Sequence, residues 1–363
     1  MAITLEALRR YAIARSLFKP TTLGRAIAKL GFVQADPIRA PARAQDLTLR
    51  HRVLNYRAGD LDLRYPKMAL DEDFFVNYGV LPRAHHALMH PRISRDKWTP
   101  TRMQHADAVL AFIAERGKVH PREVDAHFAH GKTTNWFGGT SNVSTQLLDA
   151  MHYRGLLRVA RREGGTRVYC VREAAPAGEN VDIEARIDAL VDLIVGKYAP
   201  LPAATLGNLV YRLKYAAPQW DKHRRPALER AKARLGKARV GDVEWYWPAG
   251  ESPCSRRWRP DEQVRLLTPF DPIAWDRRRF EIFWGWAYRF EAYTPAPKRK
   301  LGYYALPVLW EDRMIGWANV LVQNGRLKSS FGYVEGRPPR APAFRQALDA
   351  EMARMSAFLD VAR

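Results

Sequence analysis

The sequence predicts an α+β protein, with tandem winged-helix domains followed by a small antiparallel β-barrel and a C-terminal helix. Three observations carry this. Residues 99–175 run through three helical patterns into two short alternating segments about Gly164-Gly165, the element order of a winged helix. From residue 262 the apolar period falls to two, in short runs separated by turn residues such as Asn324-Gly325. The chain is also strongly basic, with 59 Lys and Arg against 38 Asp and Glu, a net charge of +21. Such an excess marks a polyanionic partner, and nucleic acid is the first candidate.

Four segments follow in chain order. Residues 1–98 form a winged-helix-like domain, opening with Leu5, Leu8, Ala12 and Ile13 at helical spacing. A second helix carries Leu23, Ile27 and Leu30, then comes a strand-like run, Phe32–Asp36. Residues 38–65 read as helical turns interrupted at Pro41, and 66–92 as a mostly helical connection with core aromatics Phe74, Phe75 and Tyr78. Residues 99–175 are the second winged helix, ending at the Pro/Gly linker Ala174–Asn180. Residues 176–260 read as a degenerate third, with a short wing at Val240–Trp247. Its run Arg224–Arg239 suits a solvated face or phosphate contact. Residues 261–363 supply barrel strands at Arg279–Phe283, Ala287–Tyr293, Leu301–Trp310, Met314–Val322 and Arg326–Val334, and the helix Ala343–Leu359 closes them.

Composition narrows the function. No apolar run approaches 18 residues and no basic amphipathic tail is present, which argues against a membrane partner. The start, Met1-Ala2-Ile3-Thr4-Leu5-Glu6, lacks a charged and then apolar leader pattern, so a cytoplasmic chain is expected. Two cysteines, Cys170 and Cys254, make neither a disulfide framework nor a thiolate zinc site. His127 with His130, and the cluster His85, His86 and His90, lack metal-ligand spacing and read as surface or phosphate-contacting residues, so no metal is expected. Phe137-Gly138-Gly139-Thr140 lacks the lysine of a phosphate loop, and no nucleotide cofactor is expected. With no dimerisation heptad, the chain is expected to be a monomer.

The candidate chemistry sits in Gly31-Phe32-Val33-Gln34-Ala35-Asp36-Pro37-Ile38-Arg39. In an extended segment Gln34 and Asp36 share one face, and Pro37 biases Asp36 toward extended backbone. The competing reading is a helix start, with Asp36 at the N-cap and Pro37 at the first position. Basic residues follow: Arg39, Arg43, Arg50, His51 and Arg52. A basic face around one carboxylate suits a site that grips phosphate and presents one negative group. Lys298, Arg299 and Lys300 form a second basic stretch in a Pro-flanked loop, suited to solvation or to a DNA backbone.

Gln-x-Asp after an apolar run, then Arg50-His51-Arg52, resembles the YcaQ/AlkZ family of crosslink-repair DNA glycosylases. Two long blocks extend the resemblance: Leu267-Thr268-Pro269-Phe270-Asp271-Pro272-Ile273-Ala274-Trp275-Asp276-Arg277, and Tyr293-Thr294-Pro295-Ala296-Pro297-Lys298-Arg299-Lys300-Leu301-Gly302-Tyr303-Tyr304. The chain departs at Val76-Asn77, where some members carry a His-Glu pair. The resemblance implies tandem winged helices with a small β-barrel, and excision of alkylated purines from double-stranded DNA with Asp36 and Gln34 as catalytic residues. An N7-alkylated purine is cationic and leaves readily, so the remaining task is to stabilise an oxocarbenium-like sugar and deliver water. A carboxylate such as Asp36 suits both parts, and Gln34 can orient the water or nucleotide but cannot titrate. Basic neighbours are expected to keep Asp36 ionised. Along the sequence the nearest lysine is Lys29, and the basic residues that follow are arginines, which cannot form a Schiff base. Monofunctional excision is therefore expected. The alternative is a non-catalytic winged-helix DNA-binding protein or transcription factor, which would prefer a particular duplex sequence.

Overall fold

The computed structural model describes residues 2–128, 131–134, 140–173 and 182–362. His130, Phe137-Gly138-Gly139 and the linker Ala174–Asn180 lie outside the described residues. The chain divides into two units that do not follow chain order. One comprises Met1–Leu61, Val191–Val210 and Leu228–Arg363, and the other Asp62–Leu190 and Tyr211–Ala227.

In the first unit, helix Leu5–Ser16 starts where the Thr4 hydroxyl accepts the Ala7 N–H at 3.1 Å. Helix Leu23–Leu30 buries Leu23, Ala26, Ile27 and Leu30 along one face. It stops at Gly31, whose φ of 70° is the left-handed geometry of a helix C-cap. A two-residue strand, Val33–Gln34, follows, and then helix Ala44–Leu49. Strands Gly236–Val240 and Val243–Trp247 pair as a hairpin, with Leu201–Pro202 on the far edge of the second.

The C-terminal region holds an open antiparallel sheet in the order Val264–Leu266, Leu306–Trp310, Arg313–Gln323, Arg326–Tyr333. Gln323 and Arg326 flank the turn at Asn324-Gly325, whose φ values of 52° and 70° are what a two-residue hairpin turn demands. The expected β-barrel is not found: among the described residues this sheet does not close on itself. The reason lies in two runs that form no strand. Arg279–Phe283 belongs to helix Arg277–Trp284, where the Asp276 carboxylate accepts the Arg278 and Arg279 N–H groups at 3.1 and 3.2 Å. Ala287–Tyr293 is irregular. Without those two runs the sheet keeps four strands and stays open, with Val264–Leu266 and Arg326–Tyr333 at its edges. Helix Pro342–Leu359 ends the chain's regular structure. Ile13 and Leu17 of the N-terminal segment share one core with Leu267, Phe280, Tyr288 and Leu309.

A buried ion pair joins the same segments. Arg52 and Asp271 are both fully buried and meet in a two-pronged contact of 2.8 and 3.0 Å. The remaining Arg52 donors reach the Ser16 and Thr48 carbonyls and the Ser16 hydroxyl, so all five guanidinium N–H groups are used.

The second unit corrects another expectation. Residues 66–92 contain a β-hairpin, Leu70–Phe74 with Tyr78–Pro82, rather than a mainly helical connection. Its first strand buries three successive carboxylates, each with an arginine: Asp71 with Arg158, Glu72 with Arg162, Asp73 with Arg92. Strands this polar leave no apolar alternation to read. Phe75 is core as expected, whereas Phe74 is 42% exposed. Beyond it come helices Pro100–Arg116, Pro121–Phe128 and Val143–Arg154 and the hairpin Leu157–Glu163 with Thr166–Val171. A bridge from Val119 to Tyr169 ties the hairpin to the helices, and a short pair, Lys132–Thr134 with Thr140–Asn142, precedes the third helix.

Removing one partner of a fully buried pair strands the other charge in low dielectric. Asp271→Ala is therefore expected to lower stability by about 3–5 kcal/mol in urea unfolding. Arg52→Met combined with Asp271→Leu should recover part of that loss. A single substitution costing under about 1 kcal/mol would show that the pair is not structural.

Candidate functional site

The turn into Pro37 is set by a side chain. Asp36 Oδ1 accepts the Ile38 N–H at 2.9 Å, and the Asp36 N–H donates to Gln45 Oε1 at 3.3 Å. No helix starts at Pro37; the next one begins at Ala44, so the N-cap reading of Asp36 fails. Strand geometry covers Val33 and Gln34 only, and Asp36 lies just past its end. Both Gln34 and Asp36 are half-buried.

Burial pushes the Asp36 carboxyl above its ordinary pKa, and the Ile38 N–H offsets only part of this. The expectation that basic neighbours hold Asp36 ionised is thus reversed in sign. The site's groups come from the C-terminal block instead. Tyr293 and Tyr304 both lie in the electrostatic field of Asp36, and of Tyr303, and burial together with that field raises both phenols. Tyr304 is buried and its hydroxyl meets the Thr268 hydroxyl at 3.2 Å, whereas Tyr293 is 80% exposed. Behind them Phe290 packs edge-on against Phe270, Tyr293 and Tyr304 at centroid distances of 5.2, 5.9 and 5.2 Å. The 293–304 block therefore lies in the field of Asp36, and the 267–277 block joins the aromatic wall through Thr268 and Phe270. The tyrosines went unassigned because nothing in a linear sequence sets them beside a residue more than 250 positions away.

The loop carrying the second basic stretch is held from inside. Buried Glu291 accepts the Lys300, Leu301 and Gly302 N–H groups on one oxygen, at 2.9, 2.8 and 3.3 Å. Gly302 has φ of 127°, and a Cβ there would stand 2.1 Å from Asn319 Oδ1, so only glycine fits. Lys298 and Lys300 are exposed; Arg299 is half-buried, donating to the Thr294 carbonyl and lying over the Tyr303 ring.

The first basic stretch is placed otherwise than expected. Arg39 is exposed and Arg43 buried. Arg50 pairs with buried Glu351 and donates to the Leu266 carbonyl, which His51 Nε2 also contacts at 3.0 Å. Burial and the adjacent arginines lower the His51 pKa, leaving it neutral. Arg52 is committed to Asp271. These three side chains are internal clamps, and their burial removes them from a phosphate-binding face. The expected surface role of His86 and His90 fails similarly. Their Nε2 atoms meet Asp73 Oδ2 at 3.0 and 2.7 Å, and the three form the one group among the described residues with metal-ligand geometry. Arg92 at 2.9 Å on the same carboxylate makes the surroundings cationic, and we assign the cluster as a buried polar network.

One lysine arrives from far along the chain. Lys197, in the last turn of helix Ile183–Tyr198, donates to the Phe32 carbonyl at 2.5 Å, immediately before the Val33–Gln34 strand.

With this geometry in view, the model of the AlkZ-like DNA glycosylases matches residues 27–358. The chain belongs to the AlkZ-like DNA glycosylase family. Its fold is similar to that of the Streptomyces sahachiroi DNA glycosylase AlkZ, with a TM-score of 0.64 over 100% of this chain and 98% of that one. The two share 14% of residues, so this likeness speaks to fold alone. Among the described residues of this AlkZ-like chain, no helix is long and apolar enough to cross a membrane.

A carboxyl whose folded pKa is raised binds its proton more tightly in the folded state. The Asp36 contribution therefore favours folding at low pH and is lost as pH rises through the raised value. Asn keeps the oxygen that accepts from Ile38. Asp36→Asn should leave the thermal midpoint at pH 7 unchanged or higher, and a fall of several degrees would make Asp36 a structural cap.

Proposed function

We propose that this AlkZ-like glycosylase excises N7-alkylated purines from duplex DNA by water attack at the anomeric carbon. The observation that carries the reading is a half-buried carboxylate, Asp36, beside an aromatic wall that ends in the exposed ring of Tyr293. Each part answers a need of the reaction. The alkylated base is a planar cation, and the π face of an exposed tyrosine attracts such a group. When the glycosidic bond breaks, its electron pair leaves with the base, which becomes neutral. Positive charge grows on the sugar, and Asp36 stabilises it across a partly desolvated gap. Water adds through its oxygen to the anomeric carbon and gives its proton to Asp36. Gln34 holds the water or the sugar by hydrogen bonds. Arg39, Lys298 and Lys300, exposed on the same unit, are the phosphate contacts this reading keeps from the sequence. The excision is monofunctional in this reading: the basic residues that follow Asp36 along the chain are arginines, which cannot form a Schiff base, and Lys197 is held on the Phe32 carbonyl. Unhooking of crosslinks belongs to the same chemistry where the crosslink is through purine N7.

The test is duplex DNA carrying N7-methylguanine, treated with alkali after incubation. Strand cleavage is expected with the wild type and reduced about 10²–10⁴-fold with Asp36→Asn. Cleavage should fall as pH drops through the raised pKa of Asp36, because the ionised form is the active one. Base release by Asp36→Asn at the wild-type rate would remove Asp36 from the mechanism. A sharp preference for one undamaged duplex sequence, without release, would favour the transcription-factor alternative. Borohydride should trap no protein–DNA adduct; a trapped adduct would mean that an amine attacks, not water.

A further inference from the structure

Beside the root of the Val33–Gln34 strand lies a cavity of about 130 Å³, walled by Arg15, Ser16, Lys29, Lys197, Glu251 and Trp258. A single water needs only about 10–15 Å³ of such space, so a tetrahedral oxyanion has room. Its polar groups are unbalanced. Glu251 is neutralised by Arg15, which contacts its two oxygens at 2.9 and 3.2 Å, and it also accepts from the Tyr11 hydroxyl. Among the described residues neither lysine has a carboxylate within ion-pair reach. Lys29, largely exposed, lies over the Phe18 ring at 4.1 Å, and buried Lys197 donates to the Phe32 carbonyl and lies over the Phe32 and Tyr198 rings at 5.5 and 5.2 Å. The Ser16 hydroxyl accepts from Arg52, which leaves its own proton to donate. Among the described residues lining the cavity, the two amines and the Ser16 hydroxyl face one carboxylate, Glu251, that Arg15 already holds, which leaves room for a second anion.

We propose that this cavity seats a phosphate group, supplied by the DNA backbone next to the excised nucleotide, between Lys29 at its exposed side and Lys197 at its floor. The assignment rests on the glycosylase reading for its source of phosphate, though not for the seat itself. Holding Lys197 here is unfavourable to folding. Burial, with Arg52 next, lowers its pKa to about 7, against a smaller opposing pull from Asp271. Burial and Arg15 lower Lys29 too, with Glu251 opposing. A buried amine that lowers stability and has no carboxylate against it among the described residues is the kind of group a ligand uses. Phosphate oxygens would restore the charge of both amines, so phosphate binding weakens as pH rises through 7.

The test uses the full chain with inorganic phosphate and, separately, undamaged duplex DNA. Thermal unfolding in phosphate against chloride at equal ionic strength should show a saturable rise for wild type and for Lys29→Arg. Lys29→Met and Lys197→Met should lose at least tenfold in apparent phosphate affinity. On duplex DNA, the slope of log K against log salt should flatten by about 0.9 in Lys29→Met, one phosphate contact fewer. Lys29→Met changes an exposed position, so it keeps the test valid should Lys197→Met misfold. No effect of phosphate beyond chloride on wild type overturns the seat. A phosphate effect lost in the variants with an unchanged DNA slope overturns the backbone as source and leaves free phosphate. Neither readout needs base release, so a chain that excises nothing would end the glycosylase reading and leave the seat measured on its own.

Discussion

The first unit depends on the contact between Arg52 and Asp271. A guanidinium wholly removed from water is tolerated only if every donor is filled and a carboxylate faces it. Here the donors bring together the end of the first helix at Ser16, the Ala44–Leu49 helix at Thr48, and the Leu267–Arg277 block at Asp271. The same block lends Thr268 to Tyr304, and Tyr304 lies in the field of Asp36. One ion pair thus fixes the scaffold on which the candidate carboxylate and its aromatic wall are set. Arg50 and His51, bonded to Leu266 and Glu351, extend the clamp by two residues.

Burial of arginines changes what the net charge means. In the second unit Asp71, Glu72 and Asp73 each neutralise an arginine inside the fold, and Arg279 of the first unit spends its donors on four backbone carbonyls. These cations offer nothing to a partner. The excess that remains for one is carried by exposed residues such as Lys29, Arg39, Lys298 and Lys300. Electrostatic attraction to a polyanion is set by those positions and not by the total.

How much could be read from the chain depended on whether the signal was local. The first two helices, the Asn324-Gly325 turn and the three helices with a hairpin over 100–171 rest on period, caps and turn residues, all within a few positions. The barrel failed because Arg279–Phe283 alternates like a strand, while Asp276 caps it as a helix. The hairpin at 70–82 was missed because its buried face is acidic, and charged residues read as surface. Arg50-His51-Arg52 misled for the same reason: the carboxylates of Arg52 and Arg50 lie 219 and 301 positions away, and His51 meets the Leu266 carbonyl. Gln34 and Asp36 were singled out by chemistry and resemblance, but the tyrosines beside Asp36 needed the fold.

The separation of Arg52 from Asp271 by 219 positions has a consequence during synthesis. A ribosome adding about 5–20 residues per second takes about 10–45 s to cover that interval. Until the C-terminal region is made, the helices before it lack the residues that complete their core, and Arg50 and Arg52 lack their carboxylates. The stretch from 62 to 190 belongs to the other unit and emerges whole in the meantime. The second unit, which ends at Ala227, is thus complete in the chain before the first unit receives the segment that closes its core.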